Sequence, residues 1–365
     1  MMVRATRALV AAAMLAASAA QAANAPLRLK RFAFVDRQGI GGEAFSFLGP
    51  ADWQFRGGVV WTLRSPAMPA TVAFTVTSPD GACQLEAFPS SLYFWTNNPM
   101  VLQTFPPGSF YLGSQVRPPL GPVQALQQLI IPAHRRGVAG LRVVEAKVLP
   151  ELARQLGAGQ QSAPGAQSNA LGGKVKVRYQ AGQRAFEEEF YCVVETTSMG
   201  MPTPYGMVVN VHWLPSYVFS FRAPEGKLQA VKPTFEIMVR TFKVNPRWFN
   251  KYNQLINFLV QNQIRQINNI GRISRIISQT NDEISDMMMA SWRRRNAVYD
   301  RLADQFSQAI RGVDEYLDPT TNQRVELPNG YDRAWTNGQG EYILSDNPNF
   351  DPNVGSNQNW TPLRR

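Results

Sequence analysis

His134 and His212 are the only histidines in this 365-residue chain, and Cys83 and Cys192 its only cysteines. Acid–base or thiol chemistry would have to start from them. His134 lies in PAHRRG beside Arg135 and Arg136, and His212 in NVHWLP between Val211 and Trp213. A Ser-His-Asp relay needs a histidine near an activated nucleophile, and no G-x-S-x-G signature accompanies either one. His-x-x-x-His and His-Glu spacings for zinc are missing too, and two cysteines cannot complete a tetrahedral thiolate site. No metal and no cofactor is therefore expected. Catalytic residues stay unassigned, and the reading leans away from an enzyme.

The carboxylates are richer. FEEEF places Glu187, Glu188 and Glu189 in a strand-like stretch, where alternation puts Glu187 and Glu189 on one face and Glu188 on the other. Paired carboxylates cleave glycosidic bonds when they are held across a sugar, and neighbours on one strand do not supply that opposition. The expectation is a solvated acidic face opposite the many Arg and Lys residues. A rival reading, a hydrolase of envelope polymers, would gather Glu341, Asp332, Tyr331 and Trp335 where the C-terminal tail meets the sheet. The stretch DNPNFDPN is rich in side-chain oxygens, but a calcium loop wants glycine at its sixth position and a bidentate acid at its twelfth. Starting from Asp346 these are Asp351 and Asn357, and starting from Asp351 the twelfth is Pro362. The Asp-Pro and Asn-Pro pairs favour turns, so the tail reads as a structural clasp.

The start of the chain sets the compartment. Arg4 and Arg7 precede an apolar run, Ala8 to Ala17, and Ala20-Gln21-Ala22 offers small residues for cleavage. Residues 1–22 read as a secretory signal peptide, and the run is too short to span a bilayer, which takes about 20 residues. The mature chain is expected to be periplasmic or secreted, with no transmembrane span. In an oxidising compartment Cys83 and Cys192 are expected to form one disulfide, the alternative being two buried thiols. The formal charge of +11 favours acidic partners such as anionic lipid headgroups, and a peripheral anionic-lipid binder is a third reading. Nucleic acid is not expected there.

Residues 27–100 alternate as strands and turns, with Pro79-Asp80-Gly81 as a hairpin turn. Pro122 to Ile131 and Leu141 to Leu156 read as helices, the second from Val143, Val144, Val148, Leu149, Leu152 and Leu156, with Pro150 interrupting it or opening its main turn. Uncharged, glycine-rich Gly157 to Gly173 reads as a flexible loop. Strand patterns return through KVKVRYQ, RAFEEEFYCVVETTS, GMVVNVHWL and YVFSFRAP, and Phe235 to Phe242 closes as a short helix. These elements make one domain, 27–245.

GEAFSFLGPADWQF, the SPDG hairpin, a strand ending in FP and late strands through FSFRAP resemble the PsbP-like α/β fold. Together with GYDRAW…GEYILSD…DPN, the chain is similar to exported bacterial proteins without an assigned function. The resemblance implies a curved antiparallel sheet flanked by helices and a non-catalytic binding or assembly role.

After Pro246 the composition changes. A heptad stripe through Phe249, Tyr252, Ile256, Leu259, Ile270, Ile273, Ile277, Ile284 and Met287 predicts a long helix over 246–311, continuous or broken into a hairpin at the Thr280 to Glu283 capping box. Oligomerisation through 249–287 is expected. Its basic run, Arg293, Arg294 and Arg295, is a candidate partner-binding feature. Residues 312–365 form a hairpin-rich tail, turning at Asp318 to Asn322 and again at Asn337-Gly338. Trp335, Tyr342 and Leu344 are expected on one apolar face, and Trp335, Tyr342 and Tyr331 are the tail's candidate binding residues. The fold class is α+β: a curved antiparallel sheet with flanking helices, then a long helical segment and the tail. The function expected is an exported, non-catalytic envelope binding or assembly module.

Overall fold

A computed structural model describes residues 26–62, 65–155, 166–204, 206–269 and 312–365. The signal peptide, the capping box at 280–283 and Arg293, Arg294 and Arg295 lie outside these residues.

The architecture is mixed α+β, mostly strand, with few helices and a curled sheet. The first half contains β1 (Leu27–Val35), β2 (Glu43–Pro50), β3 (Gln54–Trp61), β4 (Ala70–Thr77), β5 (Gln84–Ala87) and β6 (Tyr93–Thr96). There follow helix α1 (Pro99–Thr104), short strands β7 (Phe110–Tyr111) and β8 (Ser114–Val116), and helix α2 (Pro122–Ala125). Helix α2 runs through a π turn (Leu126–Ile130) into α3 (Ile131–His134), and then come β9 (Ala139–Val148) and α4 (Pro150–Gln155). Three long strands follow, β10 (Ala166–Ala181), β11 (Arg184–Thr203) and β12 (Gly206–Pro224), and then α5 (Leu228–Arg240), β13 (Lys243–Val244) and α6 (Pro246–Asn269). The tail adds β14 (Val313–Asp318), β15 (Gln323–Pro328), β16 (Arg333–Thr336), β17 (Glu341–Ser345) and β18 (Thr361–Pro362).

The larger sheet runs β3-β4-β5-β12-β11-β10-β9 and the smaller one β13-β2-β1-β17-β16-β18. Central β11 is covered on both faces. Helices α2 and α3 pack with Val175, Val177, Phe190, Cys192 and Val194 on one side. On the other, Leu228, Phe235 and Met238 of α5 join Tyr191, Phe221, Phe45 and Phe47.

Two sequence expectations fail here. Residues 139–148 form a strand rather than a helix, paired with β10 from Gly173↔Val148 to Gln180↔Ala139. The glycine-rich stretch from 166 to 173 is the first half of β10, in register with β11 from Ala166↔Met199. Its glycines are there for close approach: a Cβ on Gly172 would lie 2.5 Å from the Leu149 carbonyl oxygen, and one on Gly173 would lie 2.8 Å from Pro122. Bare backbone lets α4 and α2 sit directly on the strand.

Helix α6 begins where Asn245 Oδ1 accepts from the Arg247 N–H at 2.9 Å, with Pro246 at the first helical position. Its 24 residues span about 36 Å. The described start of the stripe expected to oligomerise packs on the chain itself: Trp248, Ile256 and Val260 are buried, and Phe249 and Tyr252 pack beside them, while residues 270–287 lie outside the described residues. Over 249–260 it therefore serves the chain's own core. No helix among the described residues is long and apolar enough to cross a membrane.

Candidate functional site

The three consecutive carboxylates of β11 are buried, with side-chain exposure of 4% or less at Glu187 and Glu188 and 8% at Glu189. The solvated face expected from the sequence is corrected: a central strand covered on both sides has no wet face. Each carboxylate has its own partners, divided between the faces as strand alternation requires.

Glu188 points toward α3. Arg135 grips it with two donors, Nε to Oε2 at 2.9 Å and Nη2 to Oε1 at 2.5 Å. The Tyr179 and Ser220 hydroxyls donate to it at 2.9 and 2.5 Å. Arg135 also reaches Glu86 at 2.6 Å, and its guanidinium lies beside the stacked Phe88 and Phe190 rings, 5.5 and 5.4 Å from their centroids. Burial works against the charged guanidinium, but hydrogen bonds and attraction from Glu188 and Glu86 outweigh it and hold Arg135 firmly protonated. Burial and the neighbouring Glu188 push the Tyr179 phenol up, so it acts as a donor and not as a base.

On the opposite face, Glu187 accepts from the backbone N–H groups of Gly226 and Leu228 at 3.1 and 3.0 Å and pairs with Lys176 at 2.8 Å. It thereby caps α5, whose own N-cap residue, Lys227, makes no side-chain bond. Burial raises the Glu187 carboxyl, but Lys176, the Leu228 N–H and Arg178 outweigh it, so it lies below its ordinary value. Glu189 accepts from Tyr191 at 2.5 Å and faces Lys174 and Lys232 at 3.3 and 3.6 Å. Lys174 bridges on to Glu145 of β9 at 3.3 Å.

A further carboxylate, unmarked by any motif, is Asp36, 2% exposed. It accepts from the Gly39 and Ile40 N–H groups and from the indoles of Trp61 and Trp248, at 3.1, 3.0, 3.2 and 2.9 Å. It ties the end of β1, β3 and the first turn of α6 together through neutral donors.

The remaining candidates are dispersed. His212 is buried, its ring 5.4 Å from that of Phe94. The His134 ring lies 4.5 Å from that of Phe88, tilted against it, and burial lowers its pKa. The expected disulfide is not formed: both cysteines are free. Cys192 packs on the α2–α3 side of the sheet while Cys83 packs in the cluster on the α5 side. Burial pushes the Cys192 thiol up to about 12.

The tail residues do not converge. Trp335 pairs with Ile343, and Tyr342 with Thr336, so Trp335 and Tyr342 occupy opposite faces of the hairpin rather than one. Trp335 packs with Trp360 and Phe350. Tyr342 packs with Leu29, Leu48 and Leu344. Both are buried. Glu341 pairs with Arg28 at 2.8 Å and accepts from Asn337 at 2.9 Å. The Asp332 N–H donates to Asp346 at 3.0 Å. Tyr331 borders a separate pocket of about 180 Å³ with Glu236, Arg240 and Asn329. The polar pocket required by the hydrolase reading is not assembled from these four residues. Among the described residues no three His, Cys, Asp or Glu side chains are placed to hold a metal.

No protein-family model matches this sequence, and no curated protein matches it significantly. Among solved structures, the chain is similar at low level to the crystal structure of LpqN, involved in cell envelope biogenesis of Mycobacterium tuberculosis, at 10% identity and a TM-score of 0.21. The match covers 60% of this chain and 92% of that one. At that score the likeness carries no argument about function.

The arrangement is thus a set of buried, fully engaged ionic groups. Such groups position elements: Arg135 fixes α3, Glu187 starts α5, and Asp36 holds α6.

Proposed function

We propose that this chain is an exported, non-catalytic binding or assembly module of the bacterial envelope, built on a PsbP-like α/β domain and continued by a long helical segment. One observation supports it above the others. The carboxylates of Asp36, Glu187, Glu188 and Glu189, His212 and the Cys192 thiol are enclosed by the fold, whereas the surface offers apolar side chains and an open strand edge. Export rests on the leader-like residues 1–22, and the charge of +11 suits an acidic partner or an anionic surface. Trp335 and Tyr342 drop out as contact residues because they are buried; half-buried Tyr331 and the basic run Arg293, Arg294 and Arg295 remain the candidates.

The test is crosslinking in the periplasm followed by pull-down, with a bait in which those three arginines are changed to glutamate as the contrast. The expected result is an envelope component retrieved by the native bait and depleted with the altered one. Retrieval of no envelope component by the native bait would overturn the reading.

A further inference from the structure

Strand β9 ends the larger sheet. Its only strand neighbour is β10, so its outer row of N–H and C=O groups meets no strand among the described residues. The strand is long and apolar, and Val143, Val144 and Val148 are 46%, 42% and 50% exposed. Open edges of this kind pair with other strands unless something prevents it. Here a bulge and alternating charges are the deterrents. Lys176 faces Glu145 while Val177 faces Val143, which leaves Val144 as the extra residue. Arg142, Glu145 and Lys147 line the strand as plus, minus, plus.

That order of charges is self-complementary in one register. Antiparallel pairing of two identical edges around a two-fold axis normal to the sheet sets one residue opposite its own copy. Centring on Glu145 or on Lys147 opposes like charges, and centring on Val144 sets Val143 against a glutamate. Centring on Ala146 places Glu145 opposite the second copy's Lys147, twice by symmetry, and Val144 opposite Val148. Lys147 is free to be shared: it pairs with Glu145 at 2.8 Å, yet its side chain is 64% exposed.

We propose that two copies of this chain associate edge to edge through β9, antiparallel and centred on Ala146, with Glu145 and Lys147 selecting a second copy over other strands. The paired run, Val144 to Val148, is short, so the association is weak and concentration-dependent. It stands independently of export or of any envelope partner.

The purified chain alone supplies the test, by sedimentation velocity over a wide concentration range, with amide hydrogen exchange as a second readout. Reversible dimerisation is expected, with concentration-dependent protection confined to Val144 to Val148. Lys147→Glu and Glu145→Lys should each weaken dimerisation about ten-fold, since like charges face one another across the strands. Mixing the two in equal amounts should restore it, because each then meets the opposite charge. Glu145→Lys also faces Lys174, so thermal melting checks its fold. If that variant does not fold, Lys147→Glu and Val148→Asp, both at exposed positions, are read on their own and should each weaken the dimer. A native chain that stays monomeric throughout overturns the proposal. So does a dimer indifferent to Lys147→Glu, or a mixture of two folded variants that fails to recover. Because no envelope component is present, failure here leaves the proposed function standing.

Discussion

Arg135 and Glu188 show how much a single buried ion pair constrains this fold. Glu188 is fully buried, and among the described residues Arg135 is the only cation in a salt bridge with it. Removing the cation alone strands a carboxylate in the core, which costs far more than the pair contributes net. Arg135→Ala is expected to lose about 3–5 kcal/mol in urea unfolding. The double change Arg135→Met with Glu188→Leu should recover most of that loss, since it removes both charges. An equal loss in both variants would mean that the ionic network does more than satisfy itself. The sequence contained a sign of this burial. KVKVRY sets Lys174, Lys176 and Arg178 on alternate positions, and register brings Lys176 opposite Glu189 and Arg178 opposite Glu187. Matched alternation on two strands indicates paired charges. Whether those pairs sit in water or in the core depends on the helices above, and that is not a local property of either strand.

At the scale of elements, the legible parts were those whose side chains alternate or turn locally. The hairpin at Asp80-Gly81, the segment at 122–131 and both tail hairpins appear where their patterns put them. Edge strand β9 was misread because an edge needs no alternation of burial, and its valines happen to fall at helical spacing. The first half of β10 was misread because Gly172 and Gly173, chosen for close packing, leave no pattern to see. In the second tail hairpin the strands were legible but the register was not, and one residue of register moves every side chain to the other face. Trp335 consequently belongs to a small aromatic core with Trp360 and Phe350. Trp335→Ala is expected to cost about 3–5 kcal/mol of stability, with loss of tail protection in hydrogen exchange. A surface contact residue would leave both unchanged, so a neutral result would return Trp335 to the list of binding candidates.

At the scale of the whole molecule, charge burial makes stability depend on pH. Glu187 titrates below its ordinary value when folded, so in acid the unfolded chain takes up its proton first. Its contribution is fully present above the unfolded value of about 4.3 and disappears as pH falls through the lower, folded one. Each pH unit of separation corresponds to about 1.4 kcal/mol. The expected outcome is a thermal midpoint that falls on the acid side of about pH 4.3, more gently in Glu187→Gln than in the native chain. The same slope in both would remove Glu187 from the account.

Strand β1 is held on one side by β2, which follows it directly, and on the other by β17. Arg28 and Glu341, which pair across that second junction, are 313 positions apart. A contact so distant along the chain closes late, because most of the polypeptide must be made and gathered first. During synthesis, the β1–β2 hairpin therefore waits with one flank open while the rest of the chain arrives. The smaller sheet is completed only when β17, β16 and β18 join it, so a chain truncated before β17 would carry that open flank permanently, a target for proteases and for aggregation.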